Sequence, residues 1–235
     1  MPAKTKTEKL SITDKANDFI QKNRKLLLFS LIGIIAAIII LIAVFAIRDK
    51  MISDSFIQVD DLNRRYQTIN EKMNAEGADT ASMNEDIGML LEDLAQFEKR
   101  NSGYAAARAY AISANIHESL TNWAEAENAW TSAAKNASKT YFAPVAYFNA
   151  AVAAEEQGSS GRAIELYSKA LEYGSDFPAA PRAQFSIGRI YETMDDRPAA
   201  IAAYQTLTGR WPQDQIWVNL AHSRILVLSG IGGSR

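Results

Sequence analysis

The sequence contains no cysteine. That excludes disulfide staples, thiolate metal ligands and a lipid-modified cysteine anchor. Histidine is nearly absent as well: His117 and His222 are the only two, far apart and without a second histidine at metal-ligand spacing, so each reads as a structural residue and no metal is expected. There is no excess of positive charge, the formal net charge being −2, which argues against a nucleic-acid partner because such binding is dominated by phosphate neutralisation. Glycine-rich phosphate loops are missing too. Gly158-Ser159-Ser160-Gly161 lies between two helical patterns and lacks the lysine and the preceding strand that a phosphate loop needs. No cofactor is expected, and no constellation for catalysis is found.

What is present begins with an apolar run, Leu26 to Ile47, without one charged residue. At ~1.5 Å per residue these 22 residues make a helix of about 33 Å, enough to cross a hydrocarbon core of roughly 30 Å. Val44-Phe45-Ala46 has small residues at spacings suited to signal cleavage, but signal cores run to about 7–15 residues, so the run is expected to stay as an anchor. Residues 1–25 carry seven basic and three acidic groups, net +4, whereas residues 48–235 carry 18 basic and 24 acidic groups, net −6. Positive charge is retained inside, so the N-terminus is predicted cytoplasmic and residues 48–235 outside, which in a bacterium is the periplasm.

Residues 1–11 read as a polar tail, and Ile12, Ala16, Phe19 and Ile20 as either a short amphipathic turn on the inner membrane face or a solvated linker. Beyond the run, Ile52, Phe56, Val59, Leu62, Tyr66, Ile69 and Met73 recur at helical spacing, predicting a helix that ends near Ala75-Glu76-Gly77. A coiled-coil reading places Asn63 and Asn70 in the seam, so packing within the chain is the better expectation. A second helix is predicted after Ser82, with Ile87, Leu90, Leu91, Leu94 and Phe97 as its buried stripe and Asn101-Ser102-Gly103 as its stop.

From residue 107 to 212 the chain repeats itself every 37 residues, three times. Ala126, Ala163 and Ala200 are equivalent; so are Trp130, Tyr167 and Tyr204, and so are Ala114, Ala151 and Gly188. Pro144 and Pro181 share a position suited to the first turn of a helix. Each unit is predicted to be a helix, a turn and a helix, the small residues letting the pair approach closely while the aromatic fills the gap to the next unit. The pattern resembles the tetratricopeptide repeat, clearest in Gly188, Tyr191, Ala200, Tyr204 and Pro212 of the third unit. Units of 37 residues rather than the usual 34 imply longer turns, and the first unit has His117 and Ser138 where an aromatic and a proline are usual.

The expected fold is therefore all-α, one N-terminal transmembrane helix followed by a tetratricopeptide-like solenoid. The expected divisions are a basic tail at 1–25, the span at 26–47, a leading helix pair at 48–103, three repeats at 104–215, and a capping helix with a frayed end at 216–235. The cap draws on Ile216, Trp217, Leu220, Ile225 and Leu228, and its outer face is rather apolar. By the tetratricopeptide resemblance the first helix of each unit lines a groove, presenting Arg108, Ala111, Asn115 and Glu118, then Val145, Phe148, Val152 and Glu155, then Arg182, Phe185, Arg189 and Glu192. Phe148 and Phe185 are the sharpest candidates for a partner contact, with core packing as the open alternative. Arg182 and Arg189 fall on one face and could meet a partner's carboxylate, with two solvated arginines as the favoured reading.

The order of parts, with L-x-x-F-x-x-x-N-x-x-Y-A from Leu94 and the alanine-rich pair through Trp130, resembles the bacterial YfgM-like family, ancillary subunits of the Sec translocon. That resemblance implies a non-enzymatic membrane-anchored scaffold whose partners are translocon subunits or periplasmic chaperones. The third unit is also similar to repeats in outer-membrane assembly lipoproteins and cell-division coordinators, which implies as the alternative a structural scaffold in envelope or division-complex assembly.

Overall fold

A computed structural model describes residues 12–73, 80–174 and 177–230. Among them there are nine helices and no strand. The expected tail at 1–11, the helix end at Ala75 to Gly77 and the last five residues lie outside the described residues. The chain divides into two compact units, Met1–Asp54 and Ser55–Arg235.

Helix α1, Ile12–Met73, is 62 residues long and runs through the apolar stretch without a break. Its best window has a mean hydropathy of 3.2 and buries none of its surface, so it is long and apolar enough to cross a membrane. No proline interrupts it, and a β-carbon added at Gly33 would meet nothing within 4 Å.

In the second unit, the end of α1 packs on α2 (Thr80–Arg100). Arg65 pairs with Asp93 at 2.6 Å and Lys72 with Asp86 at 3.0 Å. Seven residues forward on one helix match seven back on the other, so the two run antiparallel. Val59, Leu62 and Ile69 of α1 join Ile87, Leu90, Leu94 and Phe97 of α2 and Ile112 and Ile116 of α3 (Gly103–Ser119) in one cluster. The heptad alternative is thus answered by packing within the chain.

The repeats follow as three helix pairs: α3 with α4 (Trp123–Asn136), α5 (Phe142–Glu156) with α6 (Ser160–Leu171), and α7 (Ala180–Thr193) with α8 (Arg197–Arg210), followed by α9 (Gln215–Leu228). Their length differs from the expectation in one respect. The turns inside the units hold only three residues each, and the extra residues lie in the connections 137–141 and 172–179 between units. The reason is the turn itself. Thr121, Gly158 and Asp195, each 37 residues from the next, adopt φ of 57°, 73° and 58°. In each case the following N–H reaches back to close the helix end, Asn122 to His117, Ser159 to Ala154 and Asp196 to Tyr191, a left-handed cap that fixes the turn at three residues.

Small residues behave as the period predicts. Ala114, Ala126, Ala151, Ala163 and Ala200 are all fully buried. At Gly188 the approach is closer still: a β-carbon there would lie 2.5 Å from the Tyr204 ring, which is itself fully buried. Gly88, on the exposed side of α2, has open space around it. The same substitution should therefore act with opposite sign at the two sites. Gly88→Ala is expected to raise stability by about 0.5–1 kcal/mol through helix propensity. Gly188→Ala is expected to lower it by about 1 kcal/mol, a clash of about 2 kcal/mol outweighing the propensity gain. Thermal denaturation of the two variants checks both signs.

Candidate functional site

The aromatic that closes each unit is buried with a polar tip. Trp130 is 5% exposed, Tyr167 1% and Tyr204 0%. A buried indole N–H or phenol O–H needs an acceptor. Each finds one twelve residues earlier, on the first helix of its own unit. Trp130 Nε1 donates to Glu118 Oε1 at 2.7 Å, Tyr167 Oη to Glu155 Oε1 at 2.6 Å, and Tyr204 Oη to Glu192 Oε1 at 2.5 Å. Burial, reinforced by the bonded carboxylate, raises the pKa of both phenols, so they remain protonated donors.

A carboxylate drawn into such a joint loses hydration and is best compensated by a cation. In two joints the next first helix supplies it. Arg189 of α7 donates through Nη2 to Glu155 Oε2, and Arg224 of α9 donates through Nε and Nη2 to the two oxygens of Glu192, Nε lying 2.9 Å from Oε1. The Glu155 and Glu192 side chains are only 15% and 14% exposed. The result is a three-point link in which one carboxylate ties its own second helix and the following first helix to its own first helix.

The remaining groove candidates divide between packing and exposure. Phe148 is 7% exposed, its ring set edge-on to Tyr167 at 5.2 Å and tilted to Phe177 at 6.0 Å; it belongs to the core. Arg182 lies over this ring, its guanidinium carbon 5.0 Å from the centroid. Phe185 is half-buried between Tyr204 and Trp217, at 5.2 and 5.3 Å. Arg108 pairs with Asp60 of α1 at 2.7 Å. Asn115 and Val152 are half-buried, and Val145 is 37% exposed. Thus Arg189, for which solvation is the favoured expectation and a partner's carboxylate the alternative, is engaged by Glu155 of its own chain.

The link was within reach of the sequence. Glu118, Glu155 and Glu192 keep the period of the aromatics at a constant twelve-residue offset, and Arg189 lies 34 residues after Glu155. Outside the joints, His117 is half-buried in α3 with Nδ1 unbonded, and burial lowers its pKa. Among the described residues, no group of three or more His, Cys, Asp or Glu is placed to hold a metal ion.

Paired antiparallel helices, closed by a small residue against an aromatic and stacked in register, define a helical-repeat scaffold of the kind that binds other proteins. Comparison with known proteins gives the family. The tetratricopeptide repeat model matches residues 113–181 and 148–215. A TPR repeat-containing protein of Treponema pallidum (strain Nichols) is 30% identical over 232 residues, covering 94% of this chain and 95% of that protein. The chain belongs to the tetratricopeptide-repeat proteins.

The joints carry a pH signature. The hydrogen bonds from Arg224, then that from Tyr204, lower the pKa of Glu192 below its ordinary 4.5. A depressed folded-state pKa contributes stability that is complete above the unfolded value and is lost as pH falls through the folded one. Glu192→Gln is therefore expected to lower the melting temperature at pH 7 and to flatten its decline between pH 5 and pH 3, read by calorimetry across that range. An unchanged acid limb would show that the carboxylate is not held by its partners.

Proposed function

We propose that this chain is a single-pass membrane protein whose repeats act as a non-enzymatic scaffold for other envelope proteins. Residues 26–47 are the span, residues 1–25 the cytoplasmic tail, and residues 48–235 the periplasmic part, comprising the leading pair at 48–103, the repeats at 104–215 and the cap at 216–235. The observation that carries the reading is α1: its 26–47 stretch exposes every large apolar side chain, a surface that only lipid or protein can cover, and it leads into a repeat built for protein contact. The charge step from +4 before the span to −6 after it supports the orientation. The resemblance to the YfgM-like family supports partners near the secretion channel, translocon subunits or periplasmic chaperones among them. The working surface is the open part of the first helices, which carry Asn115, Val145, Val152 and Phe185, none of them fully buried.

The absence of cysteine makes the topology directly testable, because one introduced thiol is the only one. Thr7→Cys should resist a membrane-impermeant maleimide in intact cells, and the exposed Lys139→Cys should react; the reverse pattern would overturn the orientation. Photo-crosslinking from positions 145 and 185 then reads the partner. Translocon subunits or folding factors support the reading, whereas outer-membrane or septal proteins would replace it with a structural role in envelope or division assembly.

A further inference from the structure

Three carboxylates occupy one position of the repeat, and two of them hold a guanidinium. Glu118 takes no cation among the described residues, because the position that carries Arg189 in the third unit carries Val152 in the second. In other respects the first joint is built like the others: the Trp130 indole N–H fixes Oε1 at 2.7 Å. Oε2 is the atom that receives Nη2 in both occupied joints, and at Glu118 it has no donor among the described residues. Asn115 lies one turn earlier on α3, and the half-buried Val152 holds the repeat position of Arg189 on α5. The Tyr66 phenol of α1 feels the same charge, its pKa raised by burial and then by Glu118.

We propose that the first joint is a docking site for an arginine side chain of a partner polypeptide, seated as Arg189 and Arg224 are seated in the second and third. The chain itself displays the recognition chemistry twice. Arginine suits the seat better than lysine because its planar fork can serve both carboxylate oxygens, as Arg224 does at Glu192. The net charge of −6 on residues 48–235 favours a cationic partner segment. The inference rests on the reading of the first helices as the partner-binding face, and adds to it what that face selects.

The test uses the full chain in phosphatidylcholine nanodiscs with its four tryptophan indoles labelled with ¹⁵N, Trp130 being assigned by Trp130→Phe. N-acetyl-arginine amide is titrated at low salt against the neutral N-acetyl-citrulline amide. The Trp130 indole resonance is expected to shift saturably with the arginine probe and at least tenfold more weakly with citrulline. Glu118→Gln should abolish the response. Val152→Arg installs the missing guanidinium, so it should displace the Trp130 resonance without probe, silence the titration and raise the melting temperature, which also shows the variant folded. A Trp130 resonance indifferent to the arginine probe, or a folded Val152→Arg chain that titrates like the native one, would overturn the inference. A probe response with no envelope protein crosslinked from positions 145 and 185 would sink the proposed function alone; crosslinks without a probe response would sink this inference alone.

Discussion

The structure of the repeats depends on satisfying the polar tip of a buried aromatic ring. The ring at the Trp130, Tyr167 and Tyr204 position is buried, and its N–H or O–H is carried inside with it. The acceptor for that proton comes from the first helix of the same unit. A glutamate twelve residues earlier reaches it because a three-residue left-handed turn reverses the chain without slack. Fixing the glutamate creates a second demand, a cation for a carboxylate with little access to water. The following unit answers with Arg189, and α9 answers with Arg224. Stacking order thus follows from hydrogen-bond satisfaction as much as from apolar burial. The glycine at position 188 belongs to the same constraint, since the ring held by Glu192 leaves no room for a β-carbon.

Much of this was legible in the residues. The apolar run, the leading helix pair, the period of 37 and the class of fold follow from spacing alone, because each rests on local periodicity that packing reinforces. The alanines at 114, 126, 151, 163 and 200 were assigned to close helix contact and are buried. The candidate groove was less legible. Its residues were placed on the right helices, but facing a groove and being free in it are different properties. Phe148 turned inward because the ring of Tyr167 and Phe177 of the next connection offer it aromatic contact, and Arg182 then covered it. Arg189 was claimed by a glutamate 34 residues away, a pairing across two units that no single helical wheel displays. The three-residue turns were missed for a similar reason: the surplus length of each unit was assigned to its turn, whereas it lies between units.

These findings recast what such a scaffold offers. Glu155, Glu192, Arg189 and Arg224, which would otherwise line the first helices with charge, are engaged in coupling the units, and of the three joint carboxylates Glu118 alone has no cation among the described residues.

The central claim is that the carboxylate, the aromatic and the arginine of the following unit act as one joint. A double-mutant cycle between Glu155 and Arg189, with Glu155→Gln and Arg189→Gln measured singly and together by urea denaturation at low salt, tests it most directly. The account predicts a coupling of about 0.5–1 kcal/mol, the range for neighbouring charges in a partly screened link. Effects that add within about 0.3 kcal/mol would contradict it, since independent sites add to that tolerance.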